Sequence, residues 1–355
     1  MNPNEMKLSY PFGETLPGAG TALDVADGVR WVRLPLPFAL DHVNVWLMRD
    51  RIDGRDGWTV IDCGIANDQV KALWEQVFEQ ALDGLPVLRV LVTHMHPDHV
   101  GLAQWMCERW NAPLWMSMTD YVVARLWSAK SEQGSEGGAG GDAAAEHYIR
   151  HGLTEEGALA KIRRRSDYYS SMVPGVPEVF HRVMDGDQIE IGGRQWRVII
   201  GYGHAPEHIS LYCEATQVLI AGDMVLPRIS TNVSVFSSEP MADPLRLYLE
   251  SLSAYDDLPV ETLALPSHGR PFRGVHERIS QQHEHHADRL AEVMVACEQP
   301  KTAADILPVL FRRELDYHQL TFAMGEAIAH LHALYFQGRL RRVVDKDGII
   351  RCVVA

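Results

Sequence analysis

Between positions 94 and 99 the chain reads His94-Met95-His96-Pro97-Asp98-His99, three imidazoles and a carboxylate in six residues. Histidine makes up 17 of 355 residues, so multiplication puts the chance appearance of such a run at on the order of 0.2% for a chain of this composition. Neutral imidazole and ionised carboxylate are donors for divalent metals. The alternation His94-x-His96 presents two rings from one extended segment to one ion, while Asp98 and His99 turn into the next element and can serve a neighbouring ion. Two ions about 3.5–4 Å apart can share a water, lower its pKa towards neutrality and aim the resulting nucleophile at a carbonyl or a phosphorus. The chemistry this run points to is hydrolysis.

Such a run needs a rigid support, and the flanking pattern predicts one. Val87 to Val92 is a short apolar stretch that reads as a buried strand, and Val100, Ala103, Met106, Cys107 and Trp110 recur three and four residues apart, predicting a helix that starts near Asp98 or His99. The motif therefore belongs on a strand-to-helix loop, where function often sits. Upstream, Val29–Arg33, Val43–Met48 and Trp58–Ile61 read as strands separated by turn residues, and Val70, Leu73, Trp74, Val77 and Phe78 mark a helix over 68–81. Residues 117–180 read as a helical insertion whose Gly/Ser/Ala-rich stretch Ser128–Ala145 is expected to be mobile. Strands return over 188–225, with Trp196–Ile200, Ile209–Cys213 and Val218–Ala221 the clearest. A helix over 275–297 then places Ile279, His283, His286, Leu290 and Val293 on one face. The end of the chain reads as helices Thr302–Phe311 and Thr321–Phe336 and a hairpin, Leu340–Val344 and Ile349–Val353, around Asp345-Lys346-Asp347-Gly348.

The run at 94–99 resembles the histidine-rich motif of the metallo-β-lactamase-fold hydrolase superfamily, of the glyoxalase II and lactamase-B-like-2 type, and the family's later motifs follow in order. Gly201-Tyr202-Gly203-His204 is similar to the segment whose histidine binds the first metal. Ala221-Gly222-Asp223 is similar to the one whose aspartate bridges both metals, and Pro266-Ser267-His268-Gly269 to the one whose histidine binds the second. Val60-Ile61-Asp62-Cys63-Gly64 also matches a strand and turn common near such sites. The resemblance implies that His94, His96 and His204 hold one metal, that Asp98, His99 and His268 hold the other, and that Asp223 is shared. It also implies that Asp98 orients the nucleophile and helps to protonate the leaving group. Nitrogen and carboxylate donors without thiolate fit zinc best and also admit iron or manganese.

The implied fold is α+β, an αββα sandwich. The reading divides the chain into an N-terminal extension (1–28), a catalytic domain (29–275) carrying the helical insertion, a connecting helix (276–300) and a small winged-helix-like C-terminal domain (301–355). Other histidines read as structural: His208 as a support or packing residue, and the cluster His283-Glu284-His285-His286 as a helix face rather than a third metal site. His42 and Asn44 fit either a substrate border or strand-end packing. Trp46, Trp74, Trp105, Trp110 and Trp115 read as core.

Composition narrows the function. The hydrophobic share of 46% is that of a globular protein, no apolar run approaches the roughly 20 residues that span a bilayer, and no secretory signal is visible, so a cytoplasmic enzyme is expected. Five cysteines without CxxC pairs argue against disulfides and thiolate zinc clusters. The net charge of −14 opposes binding to phosphate backbones. From Lys301 onward eight basic and six acidic residues leave the tail at +2, which favours dimerisation or covering of the active site over nucleic-acid contact. The β-lactamases of the commonest subclass carry a cysteine ligand where this chain has Asp223, so antibiotic hydrolysis is not expected. The expected substrate is a small acyl thioester, ester or lactone. RNA or DNA phosphodiester hydrolysis and a non-enzymatic metal-binding regulator are the alternatives.

Overall fold

The computed structural model describes residues 4–129 and 140–355. Seven strands form the first sheet in chain order: β1 (Leu23–Ala26), β2 (Val29–Pro35), β3 (His42–Ile52), β4 (Arg55–Ile61), β5 (Val87–Leu91), β6 (Leu114–Met116) and β7 (Phe180–Arg182). Pairing is antiparallel from β1 to β4 and parallel from β4 to β7. Between these strands run α1 (Asp68–Ala81), the short α2 (Pro97–Val100), α3 (Ala103–Trp110), α4 (Met118–Ser128), α5 (Gly141–Arg150), α6 (Glu156–Arg163) and α7 (Tyr168–Met172). A second sheet has the order β13-β12-β11-β10-β9-β8, from β8 (Gln188–Ile191), β9 (Arg194–Gly201), β10 (His208–Cys213), β11 (Val218–Gly222), β12 (Leu263–Pro266) and β13 (Phe272–Arg273). Then come α8 (Pro244–Ser251), α9 (Val275–Ala296), α10 (Ala303–Leu310) and α11 (Tyr317–Phe336), and a terminal hairpin of β14 (Leu340–Val344) and β15 (Ile350–Val354).

Alternation along the strands builds the layers. Successive side chains of a strand point to opposite faces, and in β3 Val43, Val45 and Leu47 face one core while Trp46 and Met48 face another. In β11 Val218 and Ile220 turn inward and Leu219 and Ala221 outward. The middle core lies between the sheets, with Trp31, Trp46 and Ile61 against Trp196, Ile209 and Leu265. The outer core of the first sheet is closed by α1, α3, α4 and α7 through Trp74, Phe78, Met106, Trp127 and Tyr169. The second sheet is closed by α8 to α11, and by α5 and α6 from the insertion. The expected αββα sandwich is present, and the tail shares its outer core: Met324, Ile328, Leu334, Leu340 and Cys352 pack in one cluster with Leu219, Ala221 and Tyr248.

Several local expectations are corrected. The middle of the supposed mobile stretch, 130–139, lies outside the described residues. Its ends are ordered: Ser128 closes α4 and residues 141–145 open α5, where Ala144 and Ala145 find a buried place against the second sheet's helices. His283 is exposed rather than on the apolar seam, because the buried stripe of α9 runs through Ile279, Gln282, His286, Leu290 and Val293 and leaves position 283 over its edge. The last long helix begins at Tyr317, four residues before the expected start, where Asp316 and Gln319 form a capping box. β1 lies within the segment read as an extension and forms the edge of the first sheet. Among the described residues no helix is long and apolar enough to cross a membrane.

Candidate metal centre

Parallel pairing sets the site. β4 and β5 run parallel, as do β11 and β12, so the loops after them leave from the same edge, and β9, two antiparallel steps from β11, ends there too. Those loops carry Asp62, His94 to His99, His204, Asp223 and His268. The two sheets are tied at this edge by backbone hydrogen bonds, from Ile209 N–H to the Thr93 carbonyl (2.8 Å) and from Asn44 N–H to the Ser267 carbonyl (2.6 Å).

All seven residues expected to hold metals come together. His94 Nε2, His96 Nδ1 and His204 Nε2 lie 2.9, 3.1 and 3.2 Å from one another, and Asp223 Oδ2 is 3.2 Å from His204 Nε2. Beside them, Asp98 Oδ2 is 3.5 Å from His99 Nε2 and 3.4 Å from His268 Nε2. Asp223 Oδ2 faces this second group as well, 3.7 Å from His99 and 3.5 Å from His268. The geometry thus separates into the set His94, His96, His204 and Asp223 and the set Asp98, His99 and His268, each with its donor atoms within 4.8 Å of one another. These seven side chains are buried except His96 and Asp98, which are partly exposed and mark the open side.

The outer ring nitrogens explain why these atoms face inward. His204 Nδ1–H donates to the Asn232 carbonyl (2.8 Å), His268 Nδ1–H to the His42 carbonyl (2.8 Å) and His99 Nδ1–H to Asp62 Oδ2 (2.8 Å). The Thr93 hydroxyl donates to Asp62 and accepts from His94 Nδ1–H at 2.9 Å. With those protons committed, the hydrogen-bond network assigns a bare lone pair to the inner nitrogens of His94 and His204, whereas at His99 and His268 burial is outweighed by the neighbouring carboxylates, which raise both imidazoles, so that a cation held there would displace their inner protons. Burial pulls His94 well below the usual imidazole range and His96 to about 3, keeping both neutral. For Asp223 burial acts to raise the pKa, but His268 and His99 outweigh it and hold the carboxylate well below its usual value.

The bare inner nitrogens of His94 and His204 face each other at 3.2 Å and repel unless a cation lies between them, and two buried inner atoms, His99 Nε2 and Asp223 Oδ1, have no hydrogen-bond partner among the described residues. A neutral-imidazole and carboxylate set with committed outer protons fits divalent metal well.

The residues behind the ligands were only partly legible in the sequence. Asp62, in the left-handed region at φ 64°, accepts from Thr93 N–H (2.8 Å), the Thr93 hydroxyl and His99, so one carboxylate orients a histidine of each set. His42 and Asn44 serve the strand end: His42 Nε2 accepts from Gly269 N–H (2.8 Å), and the Asn44 amide donates to the Pro266 and Gly269 carbonyls, shaping the loop of His268. His208 Nε2 accepts the Asp223 N–H (3.0 Å) and its ring packs 4.8 Å from that of His94, a supporting contact behind the first set. The Glu326 carboxylate of α11 accepts from the Asn232 amide at 3.4 Å, one residue removed from His204. Tyr168 of the insertion stands near Asp98: burial raises its phenol to about 12, Arg165 over its ring opposes the rise and Asp98 adds to it.

Comparison with known proteins agrees with this arrangement. A sequence model of the metallo-beta-lactamase superfamily matches residues 39–268, and one described as the metallo-beta-lactamase-like C-terminal domain matches residues 290–355. The chain is 55% identical to a beta-lactamase domain protein from Burkholderia ambifaria, each covering 100% of the other, with a TM-score of 0.94. With a metallo-beta-lactamase family protein from Thermus thermophilus it shares 27% identity and a TM-score of 0.75, over 93% of this chain and 99% of that one. It is 25% identical over 315 residues to the probable metallo-hydrolase YqjP of Bacillus subtilis, 85% of this chain and 91% of that protein.

Proposed function

The chain belongs to the metallo-beta-lactamase superfamily and is a hydrolase of it, and from that premise we propose that it hydrolyses a small acyl thioester, ester or lactone at a dinuclear centre. His94, His96 and His204 hold one ion, Asp98, His99 and His268 the other, and Asp223 both. The observation that carries the reading is the pair of adjacent donor sets with the Asp223 carboxylate between them. When bound, two divalent ions supply Lewis acidity and a water acidified towards neutral pH.

The chain's own groups do the rest. Asp98, on the open side, orients the water through its carboxylate, takes up the proton that the water gives up and passes it to the leaving group. Asp62, Thr93, His42 and Asn232 take up the outer ring protons and so aim the inner nitrogens at the ion positions. Tyr168 from the insertion, the loop around Asn232 and Glu326 from α11 form the wall of the substrate pocket. The chain's net charge of −14 favours an acyl compound over a phosphate backbone. The tail acts as a pocket wall in this reading. Arg342 is held against Tyr335, 4.4 Å from its ring, and His332, so it is occupied inside the tail rather than presented to a phosphate.

Metal analysis of the purified protein, with assays against acyl-glutathione, acyl-CoA, homoserine lactone, phosphodiester and RNA substrates, tests the proposal. Two bound ions, turnover of one acyl class and a loss of about 10²-fold or more in kcat for Asp98→Asn are expected. A protein that holds no metal, or an Asp98→Asn variant with full activity, refutes the mechanism. Turnover of RNA alone, lost when Arg339 and Arg341 are neutralised, replaces it with a nuclease.

A further inference from the structure

Met95 separates His94 from His96, and its peptide groups are gripped from two sides by the insertion. Its N–H donates to Asp120 Oδ1 at 2.8 Å, and its carbonyl accepts the Tyr169 hydroxyl at 2.5 Å. Asp120 lies in the first turn of α4 and Tyr169 in α7, both buried. The second oxygen of Asp120 accepts the N–H of Glu207 at 2.6 Å, three residues beyond His204, and the Ser117 hydroxyl at 3.4 Å. The Glu207 carboxylate returns to the Thr119 N–H at 3.0 Å, closing a ring between α4 and the His204 loop.

A carboxylate in the first turn suits a helix dipole, but here both oxygens are spent on two distant loops. Among the described residues no Lys or Arg forms an ion pair with Asp120, and burial pushes its carboxyl up to about 6. A buried carboxylate without a cation is costly. What it provides is a planar pair of acceptors that holds two backbone N–H groups, from loops more than 100 residues apart, at a set separation.

We infer that Asp120, backed by Tyr169, is a positioning residue that holds the His94–His96 segment and the His204 loop in register, so that their three imidazole nitrogens meet at one cation. The inference rests on the dinuclear reading above and deepens it. It assigns the insertion a part in building one of the two ion positions. Asp98, His99 and His268 are supported instead through Asp62 and His42, so loss of the clamp acts selectively.

The test uses the full chain as wild type, Asp120→Asn and Tyr169→Phe, with zinc alone as the probe. Stoichiometry and the two affinities are read by chelator competition, and the melting temperature of the metal-free protein is measured alongside. Wild type is expected to take up two zinc ions. Asp120→Asn keeps its circular dichroism spectrum but binds one of the two at least 10-fold more weakly, with the other changed by less than threefold. Tyr169→Phe weakens the same ion severalfold. Unchanged affinities for both ions overturn the inference, and so does a lower melting temperature without any change in affinity, which marks a purely structural contact. Should Asp120→Asn fail to fold, Tyr169→Phe decides by the same criterion. A folded wild type that binds neither zinc, manganese nor iron(II) refutes the metal-centre reading itself, and this inference with it.

Discussion

Replacing Asp62 by Asn is the sharpest probe of how the histidines are oriented. Asn keeps the shape of the side chain and, like Asp, tolerates the left-handed backbone at φ 64°, so the turn after β4 should survive. The carboxylate accepts from three donors on two residues, the Thr93 N–H, the Thr93 hydroxyl and His99 Nδ1–H. An amide offers one acceptor oxygen and turns an NH2 towards the remaining donors. Either one hydrogen bond is lost, or His99 moves its proton to Nε2 and ceases to be a ligand. Losing a hydrogen bond to a charged group costs about 1.5–3 kcal/mol, which corresponds to roughly 10- to 100-fold in metal affinity, the range seen when groups behind metal ligands are altered. Zinc titration against a competing chelator reads this directly, with circular dichroism confirming the fold. Affinities within twofold of wild type for both ions would refute the claim that Asp62 sets the tautomers of the site.

Three further outcomes are expected. Gly222→Ala should cost about 3 kcal/mol or more in urea denaturation, since Gly222 sits at φ 55° and an added Cβ would lie 2.3 Å from the buried His208 ring; a cost below 1 kcal/mol counts against the packing described. Asp50→Ala should cost about 3–5 kcal/mol because it strands the buried Arg89, bonded to Asp50 at 2.6 Å, whereas Asp50→Leu with Arg89→Met should recover most of that loss in the same assay. The Glu326 carboxyl is raised by burial to about 7 from 4.5, so its stabilising contribution is present below about pH 4.5 and is lost as pH rises through 7. Glu326→Gln should therefore melt progressively higher than wild type between pH 5 and pH 8, and a difference that does not vary with pH would contradict the assignment.

How much of this was readable in the chain depends on whether the signal is local. The strand before His94, the helix over 68–81 and the run from His94 to His99 announce themselves through short-range pattern and spacing, while His204, Asp223 and His268 are reached through resemblance to the family's later motifs, and the structure brings those seven side chains to one edge. Asp120, Tyr169 and Asn232 carry no local mark. Their roles arise from hydrogen bonds between loops that only the packed sheets bring together. His283 and His286 show the limit of helical periodicity, since a stripe that leans by part of a turn over 22 residues buries one and exposes the other. The ordering of Ala144 and Ala145 was likewise invisible, because small residues in a Gly-rich stretch gain a fixed place only when another helix layer covers them.

The insertion has helices in both outer layers of the sandwich, α4 and α7 with the first sheet and α5 and α6 with the helices of the tail. It works as a brace across the rim that holds the metal loops. Exchanging the tail between relatives as an interchangeable cassette should therefore fail unless the graft also carries the matching surfaces of α5 and α6, including Tyr148, whose hydroxyl donates to the Thr321 carbonyl of α11. The tail and the insertion share one buried surface, so a substitution that reshapes one side of it is expected to need a matching change on the other.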